Sequence, residues 1–202
     1  MKKIALCFFL LLMSCTQETV RPRIAEEVTG MENSKKAVFI IASSDFRDEE
    51  YNTPKEILEK ANIKVITASS RTGEITGMLG GKAAAEVLYS SVNPAEYDAV
   101  VFIGGTGASE YWNDPAAHEL ARGCVEKGKI LAAICIAPVT LANAGLLAGK
   151  RSTVFSSEGS KLKSAGAIYT GKNVEVDGKI ITGAGPFAAK EFGKEILKAI
   201  LQ

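Results

Sequence analysis

The chain of 202 residues predicts an α/β sandwich, and three features of the sequence say so. Short apolar runs of strand length recur, segments of helical periodicity separate them, and the runs carry no polar face, as strands covered on both sides of a parallel sheet require. Ala37 to Ala42 (AVFIIA) is the first such run. Asp48 to Ala61 follows as a helix, with Ile57, Leu58 and Ala61 at helical spacing and Pro54 expected to bend or break its first turns. Lys64 to Ala68, Ala99 to Ile103 and Ile130 to Ile134 are the next strands. Between the last two, Asp114 stands as an N-cap before Pro115, and Ala117, Leu120, Ala121, Cys124 and Val125 form an apolar stripe that ends at Gly128. A short helix after Pro138 runs through Leu141 and stops at Gly145. Thr153 to Phe155 reads as a strand, Val174 to Thr182 as a hairpin turning at Asp177-Gly178, and Ala188 to Leu201 as a closing helix. No internal repeat or low-complexity tract interrupts the series. A domain of roughly 165 residues, the span of these elements, buries about 70% of the surface its unfolded chain exposes.

Composition narrows the function. Hydrophobic residues make up 47% of the chain, and 24 Lys and Arg face 23 Asp and Glu with no block of five or six like charges, so a dedicated nucleic-acid binder is not expected. Four cysteines are too few and too scattered for a disulfide scaffold, and one histidine leaves little for a His-based metal site. The start of the chain is an address. Lys2 and Lys3 precede an apolar run from Ile4 to Met13, too short to cross a hydrocarbon layer of about 30 Å. It ends in Leu12-Met13-Ser14-Cys15, which resembles the lipobox of bacterial lipoproteins. The expectation is a signal peptide over 1–14, lipidation of Cys15, a polar tether over 15–34 and a folded domain over 35–202 held at the bacterial cell envelope, facing the periplasm or the cell surface. Cleavage removes two lysines and takes the side-chain balance from +1 to −1, so polybasic attraction to lipid is not expected.

In open α/β sheets the ligand crevice lies outside the carboxyl ends of the strands, which directs attention to the loops after Ala42, Ile103 and Ile134. These hold Glu50, Gly104-Gly105 and Cys135. Common cofactor motifs fail there. None of Gly81-Lys82, Gly128-Lys129 and Gly149-Lys150 is followed by Ser or Thr, and Glu110 stands where the third glycine of a dinucleotide fingerprint belongs. No cofactor is expected, and His118, inside a helix, reads as structural. Ile130 to Pro138 (ILAAICIAP) does fit a nucleophile elbow. Cys135 falls where an apolar strand stops and a helix soon begins, with small Ala133 and Ala137 two positions to either side. A helix N-terminus there is expected to lower the pKa of the thiol, and the backbone amides of Gly105 and Ile136 are candidates for an oxyanion hole. The other reading of an unpaired cysteine, a small core hydrophobe, applies to Cys124 on its apolar stripe; a disulfide between Cys124 and Cys135 is left open.

From Lys35 to Gln202 the chain resembles the ThiJ/PfpI family, the parkinsonism-protein and glyoxalase III-like branch of the cysteine-elbow α/β proteins. The resemblance rests on the first strand, Glu50 four residues before Pro54, the Gly104-Gly105 turn, AAICIAP around Cys135, LANAGLLAGK from Leu141 and DGKIITGAGP from Asp177. It implies a three-layer, doubly wound, mostly parallel flavodoxin-like sandwich, usually a homodimer, with Glu50 beside the Cys135 sulfur as a protonated carboxyl. The chain departs from the family's pattern at two places. Ile136 stands where peptidase or glyoxalase members often carry a histidine after the cysteine, and Val154 or Phe155 replaces the histidine of the parkinsonism-protein branch. A Cys-His triad is therefore doubtful. The expected function is a Cys135–Glu50 enzyme for small carbonyl substrates, reactive α-oxoaldehydes or their adducts, of glyoxalase or deglycase type. The alternatives are a redox or stress sensor, a chaperone-like protein or a pocket without activity, with a cysteine peptidase ranked last.

Overall fold

In β1 (Lys36–Ile40) successive side chains point to opposite faces, and both faces are dry: Ala37 and Phe39 join one core cluster, Val38 and Ile40 the other. The computed structural model describes residues 35–202; the signal segment, Cys15 and the tether lie outside the described residues. After β1 come α1 (Asp48–Lys60), β2 (Lys64–Ser69), the hairpin β3 (Gly73–Thr76) and β4 (Lys82–Ala85), and β5 (Val87–Leu88). Next are β6 (Ala99–Phe102), α2 (Pro115–Glu126), β7 (Ile130–Ile134) and α3 (Pro138–Asn143). The remainder is β8 (Arg151–Ser152), α4 (Gly159–Ser164), β9 (Ile168–Tyr169), β10 (Val174–Asp177), β11 (Ile180–Gly183) and α5 (Ala189–Leu201).

Seven strands form the main sheet in the order β10-β11-β7-β6-β1-β2-β5, parallel throughout except for the β10–β11 hairpin. Helices α1 and α5 cover one face through Leu58, Phe192 and Ile196, while α2, α3 and α4 cover the other through Leu120, Leu141 and Leu162. This is the three-layer, mostly parallel sandwich that the sequence predicts. Asp114 caps α2 by accepting from the amides of Ala116 at 2.8 Å and Ala117 at 3.3 Å.

Several expectations need correction. Pro54 does not break α1, which continues to Lys60. The proline is buried, and α5 passes so close that a Cβ on Gly193 would lie 2.8 Å from Pro54 Cα. Thr153 to Phe155 is not a strand; β8 is the pair before it. The Thr153 amide donates to Thr182 Oγ1 at 2.9 Å and the Phe155 amide to the Cys135 carbonyl at 2.8 Å, so these donors serve a side chain and the elbow. The β3–β4 hairpin, β5, β9 and α4 are additions to the predicted elements.

Candidate active site

The carboxyl ends of β1, β6 and β7 are neighbours, so the segments that follow them converge on one place. Cys135 comes first after β7 and has φ 63°, a backbone conformation rare for a residue with a Cβ. The fold holds it from both sides. Its amide donates to the Gly183 carbonyl at 2.9 Å and its carbonyl accepts from Phe155, while the Ala137 amide closes the turn on the Ile134 carbonyl at 3.1 Å. Small Ala133 and Ala137 leave room for the reversal. The sulfur faces the backbone amides of Gly105 and Ile136.

Glu50 lies in the first turn of α1 and is completely buried. The Cys135 sulfur and the Gly104 amide are its polar neighbours, yet neither carboxyl oxygen finds a full hydrogen-bond partner among the described residues. Gly104 makes the approach possible. A Cβ there would fall on both Glu50 Oε2 and Cys135 Cβ and lie 2.8 Å from the Ile134 carbonyl. Gly105, at φ 106°, allows its amide to turn toward the sulfur. Burial pushes the Glu50 carboxyl up to about 8, so the group carries its proton at neutral pH.

The thiol contradicts the expectation of a lowered pKa. Burial, and after it the charge of Glu50, push Cys135 up to about 12, against the opposing pull of the Gly105 and Ile136 amides. The expected helix dipole is weak because α3 has six residues and begins three positions on, at a proline without an N–H. At neutral pH the resting pair is therefore thiol and carboxylic acid.

Above the pair lies a cavity of about 600 Å³ whose walls include Arg47, Met78, Trp112, Ile136 and Phe155. Trp112 is fixed by donating Nε1–H to the Ile136 carbonyl at 3.0 Å. Sequence reasoning missed Arg47, whose guanidinium donates to both Glu49 carboxylate oxygens at 2.8 and 3.1 Å. It also missed Met78, carried on the β3–β4 tip. There Asp48 accepts from the amides of Leu79 at 2.8 Å and Gly81 at 2.7 Å, and Met78 donates its amide to the Phe46 carbonyl at 2.9 Å. The glycines at 77, 80 and 81 were the available signal for that turn.

His118 bonds the Trp112 carbonyl through Nε2 at 2.9 Å, and Phe155 brings a phenyl ring to the elbow where an imidazole was sought. Cys124 and Cys135 are both free thiols. Among the described residues no group of three or more His, Cys, Asp or Glu side chains is placed to hold a metal, and no helix is long and apolar enough to cross a membrane.

A family model for the DJ-1/PfpI family matches residues 35–199. The chain belongs to the DJ-1/PfpI family. It is 44% identical over 178 residues to the Methanocaldococcus jannaschii protein MJ0967, covering 87% of this chain and 86% of that one. It is 29% identical over 163 residues to the deglycase PfpI of Pyrococcus furiosus, covering 81% of this chain and 98% of the relative. Among solved structures, a ThiJ/PfpI domain protein of Brachyspira murdochii superposes with a TM-score of 0.81 at 33% identity, over 83% of this chain and 97% of its own.

Proposed function

We propose that this DJ-1/PfpI protein is an exported, lipid-anchored enzyme that converts reactive α-oxoaldehydes, or their early adducts, through Cys135 and Glu50. Deglycase names among its relatives support enzymatic action of this general kind. The observation that carries the reading is the buried carboxyl of Glu50, without a full hydrogen-bond partner and beside a strained cysteine that opens onto a cavity.

The reactive form is the pair after it has lost one proton. Glu50, as carboxylate, takes the thiol proton while Sγ bonds to the aldehyde carbon and the carbonyl electron pair moves onto oxygen, facing the amides of Gly105 and Ile136. Glu50 returns its proton to that oxygen and completes a hemithioacetal. The carboxylate next removes the hydrogen on the same carbon, the electron pair shifts onto the neighbouring carbonyl oxygen as an enediolate, the hydroxyl proton of the first carbon passes to that oxygen, and Glu50 returns its proton to the adjacent carbon as the first carbon regains its carbonyl. This leaves a thioester of a 2-hydroxy acid, which water cleaves to the free acid and the thiol. One α-oxoaldehyde and one water give one 2-hydroxy acid, methylglyoxal giving lactate, and no external oxidant or reductant is needed.

The sequence of steps needs one proton carrier and no imidazole, which matches Ile136 and Phe155 at the positions where histidine was sought. A redox sensor is a second reading, since the two amides and a protonated Glu50 would hold an oxidised sulfur. It ranks below turnover because a thiolate is the form that attacks peroxide, and burial opposes a resting thiolate here. The test is lactate formation from methylglyoxal. Wild type is expected to produce it and Cys135→Ser to lose it; equal formation by the variant refutes the mechanism. Anchoring is tested by labelling with a lipid precursor, expected in the full chain and absent in Cys15→Ser.

A further inference from the structure

The near-neutral charge balance is an average that the fold separates. At the amino edge of the sheet, opposite the cavity of Cys135, the chain enters β11, β7, β6, β1 and β2 side by side. The residues at those entries are Lys179, Lys129, Asp98, Lys35 with Lys36, and Lys64. Backbone bonds lock the row: Leu131 donates to the Lys179 carbonyl at 2.9 Å, Ile130 to Asp98 at 3.0 Å, Asp98 to Lys36 at 2.8 Å and Lys64 to Lys35 at 3.0 Å. At the spacing of neighbouring strands the row is roughly 20 Å long. Lys36 and Lys64 are direct register partners, and like charges facing each other across strands cost stability.

Beside this row a hollow of about 560 Å³ is lined by Lys35, Lys127, Lys129 and Lys179 together with Asp98 and Gln202, and by no aromatic ring. Asp98 pairs with Lys35 at 3.1 Å. Among the described residues Lys36, Lys64, Lys127, Lys129 and Lys179 take part in no ion pair. The acids at this end include Asp98, Glu126 at the end of α2 and Asp177 at the end of β10, against six lysines of the row and its hollow; Asp177 is paired with Lys150 at 3.1 Å.

We propose that this lysine-rich amino edge docks on a layer of anionic lipid headgroups and holds the cavity of Cys135 away from the membrane. The domain's first described residue, Lys35, belongs to the row itself and follows Cys15 by twenty residues. An anchor at Cys15 would therefore attach to the domain at this edge, a point that rests on the anchoring reading above. The lysines stand independently of it. Without aromatic side chains the hollow offers no platform for stacking bases, so lipid phosphates fit it better than nucleic acid does. The expectation that lipid attraction is absent, drawn from net charge, is replaced by attraction confined to one edge.

The domain over 35–202, equivalent in length to the Pyrococcus furiosus relative, is tested by co-sedimentation with vesicles of phosphatidylglycerol mixed into phosphatidylcholine, and of phosphatidylcholine alone. Binding is expected only to the first and is expected to weaken as salt rises. Lys129→Gln with Lys179→Gln should lower the partition coefficient roughly 30-fold, about fivefold for each lysine near the surface, with melting temperature and methylglyoxal turnover unchanged. Equal binding to both vesicles, or an unchanged double variant, overturns the proposal. So does release by inorganic phosphate beyond that caused by chloride of equal ionic strength, which would mark a phosphate pocket. Tighter retention on mixed-sequence RNA than on the anionic vesicles overturns it as well. Anionic binding by this edge without lipid labelling of Cys15 removes the anchor and supports the edge.

Discussion

Cys124 and Cys135 are both buried, and burial pushes both thiols up to about 12, yet they occupy opposite kinds of place. Cys124 sits in regular helix with no exposed surface and donates its S–H to the Ile130 carbonyl at 3.3 Å. Cys135 has a left-handed backbone, 8% exposure toward a cavity and a carboxyl neighbour that burial keeps protonated. Acidity of the thiol does not distinguish the two. A second titratable group within reach of the sulfur, and room for a substrate, do.

Serine in place of each cysteine gives the widest separation. Cys135→Ser should lose at least ~10³-fold in methylglyoxal turnover, the scale on which removal of a nucleophile is felt, whereas Cys124→Ser should stay within about twofold of wild type. Equal losses would place both effects in the fold. Glu50→Gln should cost about 10²–10⁴-fold in kcat while leaving Cys135 in place, as expected for a lost general base. Gly104→Ala forces Glu50 and Cys135 apart and should cost on the order of 10²-fold in kcat/KM, since displacement of reacting groups by an ångström has that effect.

The smallest effect is on stability. Glu50 titrates at about 8 in the fold, above the model-peptide carboxylate value of about 4.3, so the unfolded chain gives up the proton first. Its contribution is fully favourable at low pH and is lost as pH rises through that window. Glu50→Gln, neutral throughout, should therefore melt at the wild-type temperature near pH 4 and above it near pH 8; an advantage that did not grow with pH would contradict the buried acid.

The sequence showed what periodicity and steric rules can encode. The strands of the parallel core read as uninterrupted apolar runs because both faces are covered, and the elbow read as a cysteine between small residues at a strand end. Pro54 misled because local propensity argues for a break, while burial against Gly193 on α5 carries the helix through. The β3–β4 hairpin was missed because the alanines of β4 carry little strand signal. With the hairpin went Met78, and with it the part of the cavity wall that reaches the site from a distant segment. The acidity of Cys135 was misjudged for a related reason: the turn is local in sequence, but the burial and the Glu50 charge that set the pKa arrive from other elements. The amino-edge lysines were visible one by one, and only the order of the strands brings them into a row.

The central claim is that Glu50 governs the reactivity of Cys135. Alkylation of each cysteine by iodoacetamide, followed by mass spectrometry across pH in wild type and in Glu50→Gln, tests it directly. In wild type the rate at Cys135 should rise through an inflection near 8, where Glu50 becomes a base. In the variant that inflection should vanish, leaving a rate that climbs toward high pH as the Cys124 rate does. An inflection near 8 that survives in Glu50→Gln would mean that the thiol titrates there by itself, and would contradict the account.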